Sequence, residues 1–178
     1  MITASSVTSE EEWYGSIPPA VSIVAVCSFF MSCSVHPLSL QEAQHVLSAD
    51  GLSAWHVQDT ALKKEQDKAS LMYERAQSIE TLRRYDVAVK GYLDHGFFLY
   101  RAYTIRQEDP PADLISSLHS RLATYMDIAD EYLKQGSRAM ATGMASDVVQ
   151  NYSDLSVMAP AQRRAEAILL RYRYRSDY

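Results

Sequence analysis

The stretch that decides the fold is YMDIADEYLKQGSRAMATGMASDV, residues 125–148. In its first half, apolar residues recur at spacings of three and four, along one stripe of an α-helix: Tyr125, Ile128, Ala129 and Tyr132. Gly136 follows, where such a helix is expected to end. A second stripe of small or apolar residues comes after it: Ala141, Ala145 and Val148. Small residues on facing sides let two helices approach closely, so the stretch predicts a helical hairpin.

The rest of the chain favours helix as well. Only six Gly and six Pro occur in 178 residues, so long runs carry no helix breaker. Residues 54–82 are rich in good helix formers, and their mixed charges are typical of a solvated face. The pair Pro110-Pro111 predicts a break, and Ala159-Pro160 predicts the start of a last helix.

These signals predict an all-α fold, either an antiparallel helical bundle or a short stack of helical hairpins. We expect three or four main helices with turns near residues 50, 110, 136 and 155. A single helix from about residue 58 to 107 is one alternative for the middle of the chain. The predicted organisation is a signal or anchor segment over residues 1–33, a tether with a short helix over 34–51, and a helical domain over 52–178. Ser39 and Glu42 predict a capping box for the short helix, and Asp50-Gly51 predicts the turn that ends it.

Residues 85–92, Tyr-Asp-Val-Ala-Val-Lys-Gly-Tyr, resemble the tetratricopeptide pattern that opens the second helix of a repeat. Residues 125–148 resemble the same pattern, and a partial third copy follows: Ala165, Ile168, Leu169 and Tyr172. The resemblance implies stacked helical hairpins. Equivalent points at Met72, Tyr125 and Ala165 lie 53 and 40 residues apart, whereas tetratricopeptide repeats keep a period of about 34. A helical bundle unrelated to these repeats therefore stays open.

The N-terminal part contains an apolar run, residues 20–35, within a stretch free of charged residues from Trp13 to Gln41. The run is shorter than the roughly 20 residues that cross a bilayer and suits the apolar region of a signal peptide. Phe30-Met31-Ser32-Cys33 resembles the lipobox of bacterial lipoproteins. That resemblance implies cleavage before Cys33 and lipidation of its thiol, and Ser34 implies sorting to the outer membrane.

Residues 1–20 do not fit a signal peptide, because they contain three Glu and no Lys or Arg. A true start further along the chain would explain this. Two other interpretations are an uncleaved membrane anchor with Trp13 and Tyr14 at the interface, and a buried helix of a soluble protein. No Cys follows Cys33, which excludes a disulfide framework and a Cys-based metal site in the helical domain.

The sequence offers few candidates for chemistry. Glu42 and His45 form one ExxH motif, whereas di-iron bundles need two with further Glu residues. Asp94-His95 could form a general base, with Asp127 or Glu131 as a further member of an enzyme site. Glycine-rich phosphate loops are absent from the sequence. We therefore expect no enzyme activity, no metal, no cofactor and no small-molecule substrate, and an enzyme with a site near Asp94 and His95 is an alternative.

The C-terminal residues 171–175, Arg-Tyr-Arg-Tyr-Arg, alternate cations and aromatic rings. The favoured interpretation is that Tyr172 packs into the bundle while the Arg side chains complement the helix end. Contact with a partner protein or an acidic lipid headgroup is one alternative, and nucleic-acid binding through phosphate contacts and stacking is another. The net charge of −5 gives no general reason to expect nucleic-acid binding.

Twelve Tyr against four Phe is the unusual feature of the composition, and Tyr is enriched at protein interfaces. We expect a non-enzymatic scaffold, exported and lipid-anchored, that serves a bacterial envelope assembly such as a secretion system or pilus. The predicted location is the outer membrane facing the periplasm; a soluble cytoplasmic adaptor is the alternative. The predicted partner-binding residues are Tyr92, Tyr125, Tyr132, Arg171, Tyr172 and Arg173.

Overall fold

The computed structural model describes residues 38–152 and 159–173. This part of the chain forms six α-helices without a strand, which confirms the all-α class. The helices are α1 (Leu40–Val46), α2 (Ala49–Ala76), α3 (Ile79–Arg106), α4 (Ala112–Lys134), α5 (Arg138–Asn151) and α6 (Ala159–Arg173). The predicted anchor segment and the lipobox with Cys33 lie outside the described residues.

Each helix packs on the one before it, and two further contacts tie the array together: α1 with α3, and α4 with α6. In the α2–α3 pair, Trp55 contacts His95 far from the turn, while Tyr73 stacks on Tyr85 near it, so these helices run antiparallel. The core is formed chiefly by α3, α4 and α5. Its largest fully buried side chains are Tyr132, Tyr152, Leu82, Leu93, Leu118, Leu122, Met126, Val89 and Val148.

Three predicted boundaries are confirmed. Ser39 caps α1 in a capping box, since its hydroxyl accepts from the Glu42 backbone N–H at 3.2 Å and its backbone N–H donates to the Glu42 carboxylate at 2.7 Å. Helix α4 begins directly after Pro110-Pro111. Gly136 forms the α4–α5 turn with φ of +78°, a conformation that glycine adopts at little cost.

The structure corrects two predictions about turns. Asp50-Gly51 does not form a turn, because both residues lie in the first turn of α2, whose N-cap is Ser48. Gly51 is needed there because a Cβ would lie 2.2 Å from the His45 carbonyl oxygen of α1. A single helix over residues 58–107 is also wrong. Gln77 ends α2 in the left-handed region with φ of +46°, and Ser78 caps α3.

Candidate functional site

Asp94 and His95 are neighbours in α3, but they contact different parts of the molecule. The His95 ring is buried and stacks on Trp55 of α2, with ring centroids 4.9 Å apart. Its Nε2–H donates to the Trp55 carbonyl at 3.2 Å, and the Trp55 Nε1–H donates to the His95 carbonyl at 3.1 Å. Burial lowers the pKa of His95. Asp94 instead contacts Lys90 and Tyr152, so the two residues do not form a common base.

Asp94 belongs to a polar network between α3, α4 and the end of α5. Its members are Asp86, Lys90, Asp94, Tyr125, Tyr132, Asp147 and Tyr152. The Lys90 ammonium donates to Asp94 at 2.9 Å and to the Tyr152 hydroxyl at 2.8 Å, and it pairs with Asp147 at 3.1 Å. Three tyrosines donate to carboxylates from other helices.

In these contacts Tyr125 bonds Asp147 at 3.1 Å, Tyr132 bonds Asp86 at 3.3 Å, and Tyr152 bonds Asp94. The network brings together residues that lie far apart in the sequence, from 86 to 152. It fixes the register of the three central helices.

The electrostatics of the polar network favour protonated side chains. Burial alone would lower the pKa of Lys90, but Asp94 and Asp147 outweigh burial and raise it. Burial, followed by nearby carboxylates, raises the pKa of both Tyr125 and Tyr152. At neutral pH the ammonium and phenols therefore keep their protons. Nucleophilic or basic catalysis by Lys or Tyr requires the opposite shift.

Arg121 of α4 is a second polar feature, with only 4% of its surface exposed. Its guanidinium pairs with Asp59 of α2 at 2.8 Å and donates to the Tyr92 carbonyl at 2.6 Å and to Ser117 at 2.9 Å. It also lies 3.4 Å from the centre of the Tyr92 ring. These contacts satisfy the buried charge and join α2, α3 and α4. Because Arg121 is buried by these contacts, its guanidinium does not form a binding site open to solvent.

The structure corrects the placement of three predicted partner-binding residues. Tyr92, Tyr125 and Tyr132 are at most 8% exposed, because their rings fill the core between α3, α4 and α5. A partner cannot reach these rings while the helices stay packed. Their hydroxyl and ring contacts are made within the chain, to Asp147, Asp86 and Arg121.

The other three predicted partner-binding residues lie at the end of α6. Tyr172 is half-buried against the core, with the Arg138 guanidinium of α5 5.6 Å from its ring centre. Arg171 is exposed, and Arg173 is the last residue of the helix. The end of α6 therefore has the packed ring predicted by the favoured interpretation.

Three further sequence candidates, Glu42, Asp127 and Glu131, have structural partners. Glu42 holds the N-cap of α1. Asp127 binds Arg164 of α6 at 2.8 Å, and Glu131 accepts from the Tyr73 hydroxyl at 2.7 Å. Across residues 38–152 and 159–173, no group of three or more His, Cys, Asp or Glu side chains is placed to hold a metal ion.

One surface was not predicted from the sequence, because the charged run of α2 is typical of a solvated face. Six exposed residues follow each other along the outside of α2, and we call them the outer stripe: Val57, Ala61, Lys64, Lys68, Leu71 and Arg75. Val57 and Leu71 expose 72% and 53% of their surface. The alternating spacing of four and three is visible in the sequence. The exposure of the apolar side chains Val57 and Leu71 is seen only in the structure.

Comparisons with protein-family models, curated protein sequences and solved structures found no match to this chain. Within the described ranges, none of the helices has both the length and the apolar character needed to cross a membrane.

Proposed function

We propose that the chain is a non-enzymatic helical scaffold, exported and lipid-anchored at Cys33, that serves a bacterial envelope assembly through protein–protein contacts. The observation that supports a scaffold best is the state of the buried polar groups. The side chains of Lys90 and Arg121 form ion pairs between helices, and the pKa of Lys90 is raised. Such groups stabilise a rigid body and are not poised for proton transfer.

The proposed anchor rests on the sequence alone. The apolar run over residues 20–35 and the resemblance of residues 30–33 to a lipobox support export and lipidation. The helical part that follows supplies no membrane-spanning helix within its described residues, so attachment would depend on the segment before it.

Radiolabelled palmitate incorporation in bacterial cells tests the anchor. We expect label in the wild-type chain and none in Cys33→Ser, with Cys27→Ser as the matched control that keeps the label. Unlabelled wild-type protein in the soluble fraction would contradict lipidation and favour the soluble adaptor.

The scaffold itself is tested by crosslinking in membranes followed by purification. A monomer to which nothing is crosslinked would contradict it. An enzyme near Asp94 and His95 would instead require an activity that His95→Ala or Asp94→Ala abolishes without loss of helicity.

A further inference from the structure

The outer stripe of α2 is a straight seam with a charge pattern of its own. Positions 57, 61, 64, 68, 71 and 75 alternate spacings of four and three, the spacing at which one helix covers another in a coiled coil. All six side chains are exposed along about five turns of one regular helix. Lys64, Lys68, Leu71 and Arg75 also line a shallow surface depression on this helix.

The cations of the stripe make no polar contact with the part of the chain that the structure describes. Lys64, Lys68 and Arg75 have no hydrogen bond or ion pair with any other residue that the structure describes. Lys63, which points away from the stripe, is paired with Asp67. Two of these cations, Lys64 and Lys68, therefore lie between the exposed aliphatic side chains Val57 and Leu71, and Arg75 lies one turn beyond Leu71.

The borders of the stripe carry the opposite charge. Asp67 and Glu74 follow one side and Glu65 the other, as expected for positions next to a heptad seam. Asp67 and Glu74 also make contacts along the helix, to Lys63 and to the Ser70 hydroxyl at 3.3 Å. The surface is thus basic and apolar at its centre and acidic at its margins.

We propose that the outer stripe binds an amphipathic helix of a partner protein, whose seam carries Asp or Glu beside aliphatic residues and whose flanks carry Lys or Arg. The proposal rests on the scaffold function and names the chemistry of its partner. An acidic seam would meet Lys64 and Lys68, aliphatic residues would cover Val57 and Leu71, and basic flanks would meet Asp67 and Glu65. Charge complementarity of this kind determines which helix pairs form.

A second copy of the chain fits the stripe poorly. In an antiparallel pair centred on the stripe, Lys64 of one copy faces Lys68 of the other, and Val57 faces Arg75. In a parallel pair each cation faces its own equivalent. Like charges directly opposed across a seam destabilise the pair.

An anionic bilayer fits less well than a helix. A flat surface that reached Lys64 and Lys68 would also approach the acidic margins at Glu65 and Asp67, which such a surface repels. A helix is narrow enough to cover the seam and to place its own cations on these margins.

Fluorescence anisotropy with a labelled synthetic helix tests the proposal on the full chain. The probe is a peptide of about three heptads with Leu and Glu in its seam and Lys on its flanks, and a peptide of scrambled order is the control. We expect saturable binding of the probe alone, weakened by salt. Lys64→Glu/Lys68→Glu should weaken binding at least about tenfold, or about 1.4 kcal/mol.

The matched variant is Arg83→Glu/Arg163→Glu, which makes the same charge change at two exposed arginines of α3 and α6. It should retain wild-type affinity within about twofold. A reciprocal peptide with Lys in the seam should bind Lys64→Glu/Lys68→Glu in preference to the wild-type chain. Circular dichroism verifies that both variants stay helical.

Three results would overturn the proposal. The first is no binding of the probe, or equal binding by the two variants. The second is stripe-dependent sedimentation with vesicles containing phosphatidylglycerol, which would assign the stripe to a bilayer. The third is stripe-dependent self-association in analytical ultracentrifugation. If the probe fails while a partner is still crosslinked in membranes, the scaffold survives and this surface is excluded.

Discussion

Gly96 sets the distance between α3 and α4. A Cβ at this position would lie 2.8 Å from a Leu118 methyl carbon and 2.9 Å from Nη1 of Arg121. That nitrogen is held by its bond to the Tyr92 carbonyl, so it cannot move without losing a buried hydrogen bond. The closeness of the two helices, and with it the placement of Arg121, depends on the missing side chain.

We predict that Gly96→Ala lowers the free energy of unfolding by about 1–3 kcal/mol, because the added methyl overpacks this contact. Gly143 on α5 is the control, since nothing lies within 4 Å of a Cβ there. Gly143→Ala should raise the free energy of unfolding by about 0.5–1 kcal/mol through helix propensity. Urea denaturation measures both. Equal effects of the two substitutions would contradict the close approach at Gly96.

His95 gives the protein a pH dependence near neutrality. Burial lowers its pKa in the folded state. Of the charged groups that face it, Asp59 of α2 raises this pKa and Arg121 of α4 lowers it. The unfolded chain therefore takes up the proton first. The contribution of the neutral His95 ring to the free energy of unfolding is complete above about pH 6.5, the usual pKa of histidine. It is lost as the pH falls below that value.

We expect the midpoint temperature of thermal unfolding to decrease as the pH is lowered from about 7.5 to about 5.5. The slope of this decrease with pH should be smaller in His95→Gln. His56→Gln, at an exposed position next to Trp55, should keep the wild-type slope. A pH profile that is unchanged by His95→Gln would show that another group is responsible.

At the scale of helices, the sequence predicted those helix boundaries that depend on interactions between neighbouring residues. Ser39 with Glu42, Pro110-Pro111 and Gly136 act through their own backbone, so each was predicted from its neighbours. The α2–α3 turn was missed because Gln77 has no intrinsic preference for its left-handed conformation. Gln77 has that conformation at a turn across which Tyr73 and Tyr85 stack on each other, with ring centroids 6.4 Å apart.

The α4–α5 hairpin allows a test of helix packing. Ala141 and Ala145 are fully buried, whereas Ala139 on the same helix is exposed. Leu at position 141 or 145 should overpack the hairpin and lower the free energy of unfolding by about 1–3 kcal/mol. Ala139→Leu adds the same atoms facing solvent and should change stability by less than about 0.5 kcal/mol. Equal stability of all three variants would contradict the packing of this hairpin.

At the scale of the molecule, the candidate site was less predictable than the fold. The tyrosine periodicity correctly placed Tyr125 and Tyr132 on one helix face, but their polar tips suggested an interface. The hydroxyls instead donate to Asp147 and Asp86, which lie 22 and 46 residues away in the chain and belong to other helices. Contacts at such separation arise from helix packing, which local spacing does not encode.

The polar network makes the packing of α3 and α5 depend on one cation. Lys90 stands among three aspartates: it pairs with Asp94 and Asp147, and its charge offsets part of the effect of burial, which raises the pKa of Asp86. Its own pKa is raised, so its stabilisation is complete at neutral pH and is lost only as the pH rises above its usual value of about 10.5.

Replacing Lys90 by Met keeps the aliphatic stem and leaves the carboxylates facing each other. We predict a loss of about 1–2 kcal/mol in the free energy of unfolding at pH 7, less than for a fully buried pair because Lys90 is 35% exposed. The deficit should shrink as the pH falls toward 4, because protonated carboxyls no longer repel each other. Lys134→Met, at a 72% exposed lysine paired with Glu131, should show neither the loss nor its recovery in acid. If the Lys90→Met deficit is independent of pH, the loss comes from packing and the charge balance of the network is not its cause.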